Sequence, residues 1–485
     1  VAQPSLTRNY LAPSYRTAAP GEAEAVDVLA HVLGTGSLSR LYRQLVIDKK
    51  IAVSAGAWYG GIAYDTTRLG ISATPQPGTS LDDLEKAVDG VIAEIVANGI
   101  TSEELARAKT KLVADVVYSW DDPFTLARMY GAALATGLSV ETIKDWPQRI
   151  RAVTADQVQE AARRSPFRQR LSPQAARDAG KALVIRVIAG ILMSLALATH
   201  ATSALSRTQI ERVVTPKGIE IWLVRTMDLP MLSLQFSFLG GAAQDPAGKP
   251  GIASLAAGLL DEGAGKYDAR AFREQLEGNA IEISFNANRD SVRGSLKTLT
   301  DNQDKAFELL RLALTAPRFD ASEIERVRST TLASLRRAST NPGEIAKNTW
   351  YARAFPNHPY GRPVAGTLDS VPSITVEDLR GYVGKNLARS NLKVAAVGAI
   401  DAATLARLVD HAFEGLPEKA DLMPVADVVP QALGEREIIP LHVPQTVILY
   451  GGAGLMRNDP DFIPAYVLNY ILGGGALKSR LADRI

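Results

Sequence analysis

Cysteine is absent from all 485 residues of the chain. That excludes a disulfide, a thiolate nucleophile and any Cys-ligated metal centre. Histidine is nearly as scarce, with five: His31, His200, His358, His411 and His442. No two of them lie within a helical turn of each other, so a metal site would need ligands drawn from distant segments. Each therefore reads as a surface or a satisfied structural histidine. Excess charge is missing too. With 54 basic against 52 acidic residues the net charge is +2, which gives no electrostatic case for nucleic acid or an acidic partner. The remainder is ordinary globular composition, 46% hydrophobic and 22% charged, at a length that predicts about three domains.

One segment departs from that pattern. Arg163, Arg164, Arg168, Arg170, Arg177, Lys181 and Arg186 form a basic run, followed by the apolar stretch Val187 to Ala198 and the small residues Thr199 to Ala204. A basic, apolar, small-residue succession is the pattern of an export signal, yet it lies in mid-chain. The apolar core is shorter than the ~20 residues a membrane-spanning helix needs. Three readings stay open: a junction of two adjacent reading frames, an internal membrane anchor over 183–198, or a buried core helix. The first predicts an exported, periplasmic second protein beginning after cleavage between Ala198 and Ala204. With no initiating Met and an end inside a helical pattern, the sequence reads as a fragment open at both ends.

Internal similarity points to a repeated unit. Ala25 to Gly36 matches Ala465 to Gly475, and both continue into Ser-Arg-Leu, at Ser39 to Leu41 and Ser479 to Leu481. Thr101 to Lys109 matches Ala321 to Arg328, each followed by a helix-breaking pair, Asp122-Pro123 and Asn341-Pro342. Val153 to Val158 matches Ile374 to Leu379, with Thr154 and Thr375 at N-cap positions. Strands are expected at 218–224, 231–238, 279–287 and 291–296, and a buried strand at 391–398. Amphipathic helices are expected at 268–277, 299–314 and 322–337. Strands mixed with long helices, without strict alternation, predict an α+β fold in which helices pack on a mainly antiparallel sheet.

In order and spacing, Gly240-Gly241, the Asp245 to Gly265 segment, Arg289-Asp290, the Ser322 to Arg337 helix and His358-Pro-Tyr-Gly-Arg-Pro363 resemble the pitrilysin/insulinase family of zinc peptidases. The resemblance implies a C-terminal-type domain at 1–168, the signal-like segment at 169–205, an N-terminal-type domain at 206–427 and the start of a second C-terminal-type domain at 428–485. Catalytic members carry His-x-x-Glu-His on the first helix, where this chain has Ser254-Leu255-Ala256-Ala257-Gly258. Their third metal ligand, a Glu on a later helix, aligns with Ala333 or Ser334. Both halves of the zinc site are therefore missing, which implies no metal and no catalytic residue in this chain. A substrate-clamping Arg and Tyr, seven residues apart in the family, align with Val46 and Val53.

The resemblance implies a division of labour: a non-metal-binding component paired with a zinc-bearing family subunit as a heterodimer, zinc residing in that partner, the two enclosing a peptide substrate. The alternative is a structural subunit without peptidase role, like the core subunits of respiratory complexes that share the fold. Candidate peptide-binding residues are Ser284, Asn286 and Asn288, on the strand catalytic relatives use for strand addition, and Gly473, Gly474 and Gly475, which read equally as a tight turn of positive φ. His358 to Arg362 reads as a helix-ending turn. Asp261 and Glu262 read as a solvated helix end.

Overall fold

The computed structural model describes residues 4–119, 123–164, 210–227, 229–432, 434–443, 445–474 and 479–484. The signal-like segment at 181–204 and Gly475 lie outside them. The chain divides into two compact units, Val1–Arg337 with Val364–Met423, and Ala338–Pro363 with Pro424–Ile485. No helix among the described residues is long and apolar enough to cross a membrane.

The first unit holds two modules with separate hydrophobic cores. In the first module β1 (Leu6–Ala12), β2 (Ala52–Tyr59) and β3 (Thr67–Pro75) form an antiparallel sheet in the order β1-β3-β2. Helix α1 (Glu22–Gly34) buries Val28, Leu29, Val32 and Leu33 against β2 and its helical neighbours. Those neighbours are α3 (Ser102–Ser119), α6 (Trp146–Ala152) and α7 (Ala155–Arg164), and the module also holds α2 (Leu81–Asn98), α4 (Pro123–Ala135) and α5 (Val140–Lys144). The expected cap at Thr154 is present: its Oγ1 accepts from the Gln157 amide at 3.3 Å, and its own amide donates to Gln157 Oε1 at 2.8 Å.

The second module is built on a six-stranded sheet: β4 (Ile210–Val214), β5 (Glu220–Arg225), β6 (Met231–Leu239), β7 (Glu282–Ala287), β8 (Ser291–Leu299) and β9 (Leu392–Gly398). Their order is β4-β5-β9-β6-β8-β7, antiparallel except for the β5–β9 pair. The strict alternation of β6 explains its place. Leu232, Leu234, Phe236 and Phe238 point to the core, where Phe236 meets Phe413 edge-on at 5.3 Å between ring centroids. Ser233, Gln235 and Ser237 face the other way. Apolar residues of β9 are buried only at alternate positions, Leu392, Val394 and Ala396. The expectation of a fully buried strand is corrected: this sheet carries helices on one face and presents the other to solvent. The helices are Ala269–Gly278, Gln303–Thr315, Ala321–Ala338, Val376–Asn386 and Ala402–Phe413. A reciprocal capping box between Thr375 and Asp378 starts the fourth, as the sequence leads one to expect.

The second unit centres on the helix Pro342–Ala354, whose N-cap Asn341 accepts from the amides of Gly343 at 2.9 Å and Glu344 at 3.1 Å. Below it Trp350, Tyr351, Phe355, His358 and Tyr360 form an aromatic cluster. His358 caps the short turn Pro359–Gly361, its Nδ1 accepting from the Tyr360 amide at 3.2 Å. The repeat of α1 falls on the helix Phe462–Asn469 and the wide turn Tyr470–Gly474. The copies differ in burial. Val467, Leu468, Ile471 and Leu472 are 45–64% exposed, whereas Val28, Leu29, Val32 and Leu33 are 0–5% exposed.

Candidate functional site

The short helix Ile252–Ala257 stands where the family's metal-binding helix would lie. Asp245 starts it. Its buried carboxylate accepts from the Gly251 amide at 2.8 Å and the Ala253 amide at 2.9 Å, satisfying donors a helix start leaves free. Gly251 has φ of 106°, and a Cβ there would lie 2.9 Å from Gly366 Cα, so both conformation and space require glycine. Ile252, Ala253, Leu255, Ala256 and Ala257 are all buried, and a Cβ on Gly258 would rest 3.7 Å from Val327 Cγ1 of the Ala321–Ala338 helix. Farther along that helix Ala333 is buried and Ser334 is exposed. The positions that would hold zinc thus carry methyl groups, a hydroxyl and hydrogen. No cluster of three or more His, Cys, Asp or Glu among the described residues could hold a metal ion.

Just past this helix the expectation of a solvated acidic pair is corrected. Glu262 is buried, 7% exposed. It accepts a hydrogen bond from Arg273 and pairs with Arg326 at 2.6 Å. Arg326 also pairs with Glu323 at 2.8 Å and donates to the Tyr42 hydroxyl of the first module at 2.8 Å. Burial opposes charge on Arg326, but the surrounding carboxylates and Tyr42 outweigh it and hold the guanidinium charged. Burial raises the Asp261 carboxyl to about 6 against the opposing pull of Arg273. The sequence signal for this network is weak: Arg273 lies on the helix after Glu262 and Arg326 on a much later one, and only the fold makes the three neighbours.

The candidate peptide-binding residues have distinct placements. Among the described residues β7 is an outer strand of its sheet, paired with β8 alone, and it runs beside the Ile252–Ala257 helix. The Asn288 amide donates to the Ser291 carbonyl at 2.9 Å. Alternation from that pair directs the amides and carbonyls of Ile283, Phe285 and Ala287 away from β8. Ser284 and Asn286 share the solvent face, Ser284 Oγ lying 2.8 Å from Ser295 Oγ and Asn286 opposite Arg293. Asn288 is engaged otherwise. Its Oδ1 accepts from the amides of Asp290 and Ser291, both at 2.8 Å, and fixes the β7–β8 turn. Gly241, at φ of 47°, supports that turn, since a Cβ there would lie 2.4 Å from the Asn288 carbonyl oxygen. Gly473 and Gly474 belong to the second unit and close the wide turn Tyr470–Gly474 without positive φ, contrary to the tight-turn expectation. Val46 and Val53, at the aligned clamp positions, are buried apolar residues.

Comparison with known proteins accords with these findings. The family described as the peptidase M16 inactive domain matches residues 2–112 and 373–485, and the insulinase family, peptidase family M16, matches residues 231–368. The chain is 26% identical over 308 residues to the non-peptidase homolog YmxG of Helicobacter pylori, covering 63% of this chain and 68% of that one. It is 22% identical over 280 residues to a probable mitochondrial-processing peptidase subunit beta of Arabidopsis thaliana, covering 57% and 52%. It thus spans about half the length of that subunit. A crystal structure of a peptidase M16 inactive domain from Pseudomonas fluorescens matches with a TM-score of 0.51 at 26% identity, over 57% of this chain and 67% of that one. Family matches along most of the chain, helices packed on a mainly antiparallel sheet, and the lack of a metal-ligating side chain at Ser254, Ala257, Gly258, Ala333 and Ser334 lead to one conclusion: the chain belongs to the insulinase (M16) peptidase family, as a member without the family's zinc ligands.

Proposed function

We propose that this chain is a non-metal-binding component of a heteromeric zinc endopeptidase, in which a zinc-bearing family subunit supplies the hydrolytic centre. The chain contributes part of a chamber that holds extended peptides for degradation or processing. The observation that carries this reading is the unpaired outer edge of β7 beside the inert helix, next to the solvent face of Ser284 and Asn286. An extended peptide can add there through main-chain hydrogen bonds. Similarity to a processing-peptidase subunit and to a non-peptidase homologue supports the same reading.

The chain alone is expected to retain no zinc after dialysis and to leave peptides uncut, while a mixture with its zinc-bearing partner cleaves them. Ala287→Pro removes an outward amide of β7 and spares the β8 ladder. It is expected to weaken binding of a fluorescent extended peptide at least fivefold by anisotropy. Stoichiometric zinc in tag-free protein, or binding indifferent to Ala287→Pro, would remove the basis for the proposal. Export of the part beginning near residue 205 is proposed from the 181–204 pattern. N-terminal sequencing of native material should then find a start between Thr199 and Leu205, and a single uncut chain would refute it.

A further inference from the structure

The two modules of the first unit meet across a surface unlike either of their cores. On the first module, α3 presents Arg107, Lys111 and Tyr118. Facing them on the second are Glu277, at the end of the Ala269–Gly278 helix, and Ala280 and Glu282, at the entry to β7. Lys111 pairs with Glu282, and Arg107 Nε lies 3.5 Å from Glu277 Oε2. The Tyr118 hydroxyl donates to the Ala280 carbonyl. Ala280 takes a left-handed conformation, φ of 51°, in the turn leading into β7. The Tyr118 ring completes a small apolar patch with Ala114, Met231 and Ala280, each at most 6% exposed. Arg326 donates to the Tyr42 hydroxyl at 2.8 Å, a further link from the second module back to the first. Ion pairs across the contact, with Asp115 of α3 also pairing with Lys111 at 2.6 Å, surround a compact apolar centre. That is the composition of an association surface rather than of a shared core.

Each module also closes its own core. Val28, Leu29, Ile71, Val88 and Ile95 belong to one, and Leu234, Phe236, Phe307, Leu310 and Phe413 to the other, with no residue common to both. We propose that residues 4–164, and residues 210–337 with 364–423, are separately folding modules that recognise each other through this surface, so that association persists when the chain between them is cut. The partner this surface of the second module fits is a family module of the first type, whose helix carries Arg107, Lys111 and Tyr118 in that spacing. A separate polypeptide bearing such a module would dock equally well. The inference does not depend on peptide binding.

The test is a full-length chain with a protease recognition sequence inserted between residues 165 and 209. It is cut to completion, checked on a denaturing gel, and followed by analytical ultracentrifugation through a dilution series. The cut wild-type halves are expected to sediment together, with dissociation strengthening as salt rises. Glu282→Lys places two cations against each other at a half-buried strand position and should weaken association at least tenfold. Adding Lys111→Glu to that variant should restore most of the loss. Tyr118→Ala should weaken association at least tenfold by a route that salt does not change. Circular dichroism of each uncut variant establishes that it has folded. Separation of the cut wild-type halves at micromolar concentration overturns the proposal. So does association that none of the variants alters, because the contact would then lie elsewhere.

Discussion

Glu262→Ala will destabilise the second module by about 3 kcal/mol, toward the low end of what removing one partner from a buried ion pair costs. The carboxylate accepts from Arg273 and pairs with Arg326, and the substitution leaves both guanidinium groups in place. The value falls at the low end because Arg326 keeps Glu323 at 2.8 Å and the Tyr42 hydroxyl at 2.8 Å. Arg273 keeps the electrostatic pull of Asp261 and Glu277 but loses its hydrogen-bonded carboxylate, and absorbs most of the loss. Glu262→Gln keeps an acceptor in the same position and should cost about half as much. Glu262→Ala combined with Arg326→Ala should cost less than the sum of the two single changes, since each removes a group the other leaves stranded. Asp261→Asn serves as the contrast. Burial disfavours the Asp261 charge and raises its carboxyl to about 6, so at pH 8 an uncharged amide there relieves a carboxylate the fold holds at a cost and should be tolerated. Urea unfolding at pH 8 of the wild type, the four single variants and the double variant measures this. Equal shifts for Glu262→Ala and Asp261→Asn would show that the network contributes nothing specific.

The sequence was most legible where side-chain period decides structure. Strict alternation in Met231 to Phe238 and the Thr375 to Asp378 capping pattern each identify an element, and β6 and the Val376–Asn386 helix follow. The loss of the metal site was also legible, because zinc needs particular side chains and their absence can be read directly at Ser254, Ala257 and Gly258. Pairings set by the fold were not legible. Glu262 resembles any acidic residue past a helix end until Arg273 and Arg326 arrive from elsewhere in the chain. Asn288 reads in sequence as part of the peptide-binding strand, and only the β7–β8 turn reveals that its oxygen is committed. The β9 strand illustrates a further limit. Leu-Lys-Val-Ala-Ala-Val-Gly is apolar enough to read as buried on both faces, yet alanine and valine serve equally well on the open face. Periodicity gives a face, but not what covers it.

Folding of the first module should leave its stability nearly flat between pH 4 and 6.5, although two groups on α1 titrate far from their usual ranges. Burial raises the Asp27 carboxyl to about 7, with the nearby Glu24 adding to it, against the hydrogen bonds from Tyr15 and Trp146, which favour the charged form. Burial lowers His31 to about 4, aided by the charges of Lys111 and Arg107. In this window the unfolded chain carries Asp27 ionised and His31 protonated, and the folded chain carries both neutral. Folding therefore takes up one proton at Asp27 and releases one at His31. The signs follow. Holding an extra proton at Asp27 makes stability fall as pH rises toward 7. Lacking one at His31 makes stability fall as pH drops from 6.5 toward 4. Each slope approaches about 1.4 kcal/mol per pH unit, and they cancel. Asp27→Asn removes the first and should expose a stability that rises by about 3 kcal/mol from pH 4 to 6.5. His31→Gln removes the second and should expose a fall of similar size. Glu24 remains paired with Arg149 at 2.9 Å in both variants. Hydrogen exchange of the α1 amides, corrected for intrinsic rates at each pH, reports the module's own stability. Parallel profiles for wild type and Asp27→Asn would mean that the carboxyl is ionised in the folded protein, and the cancellation would have to be abandoned.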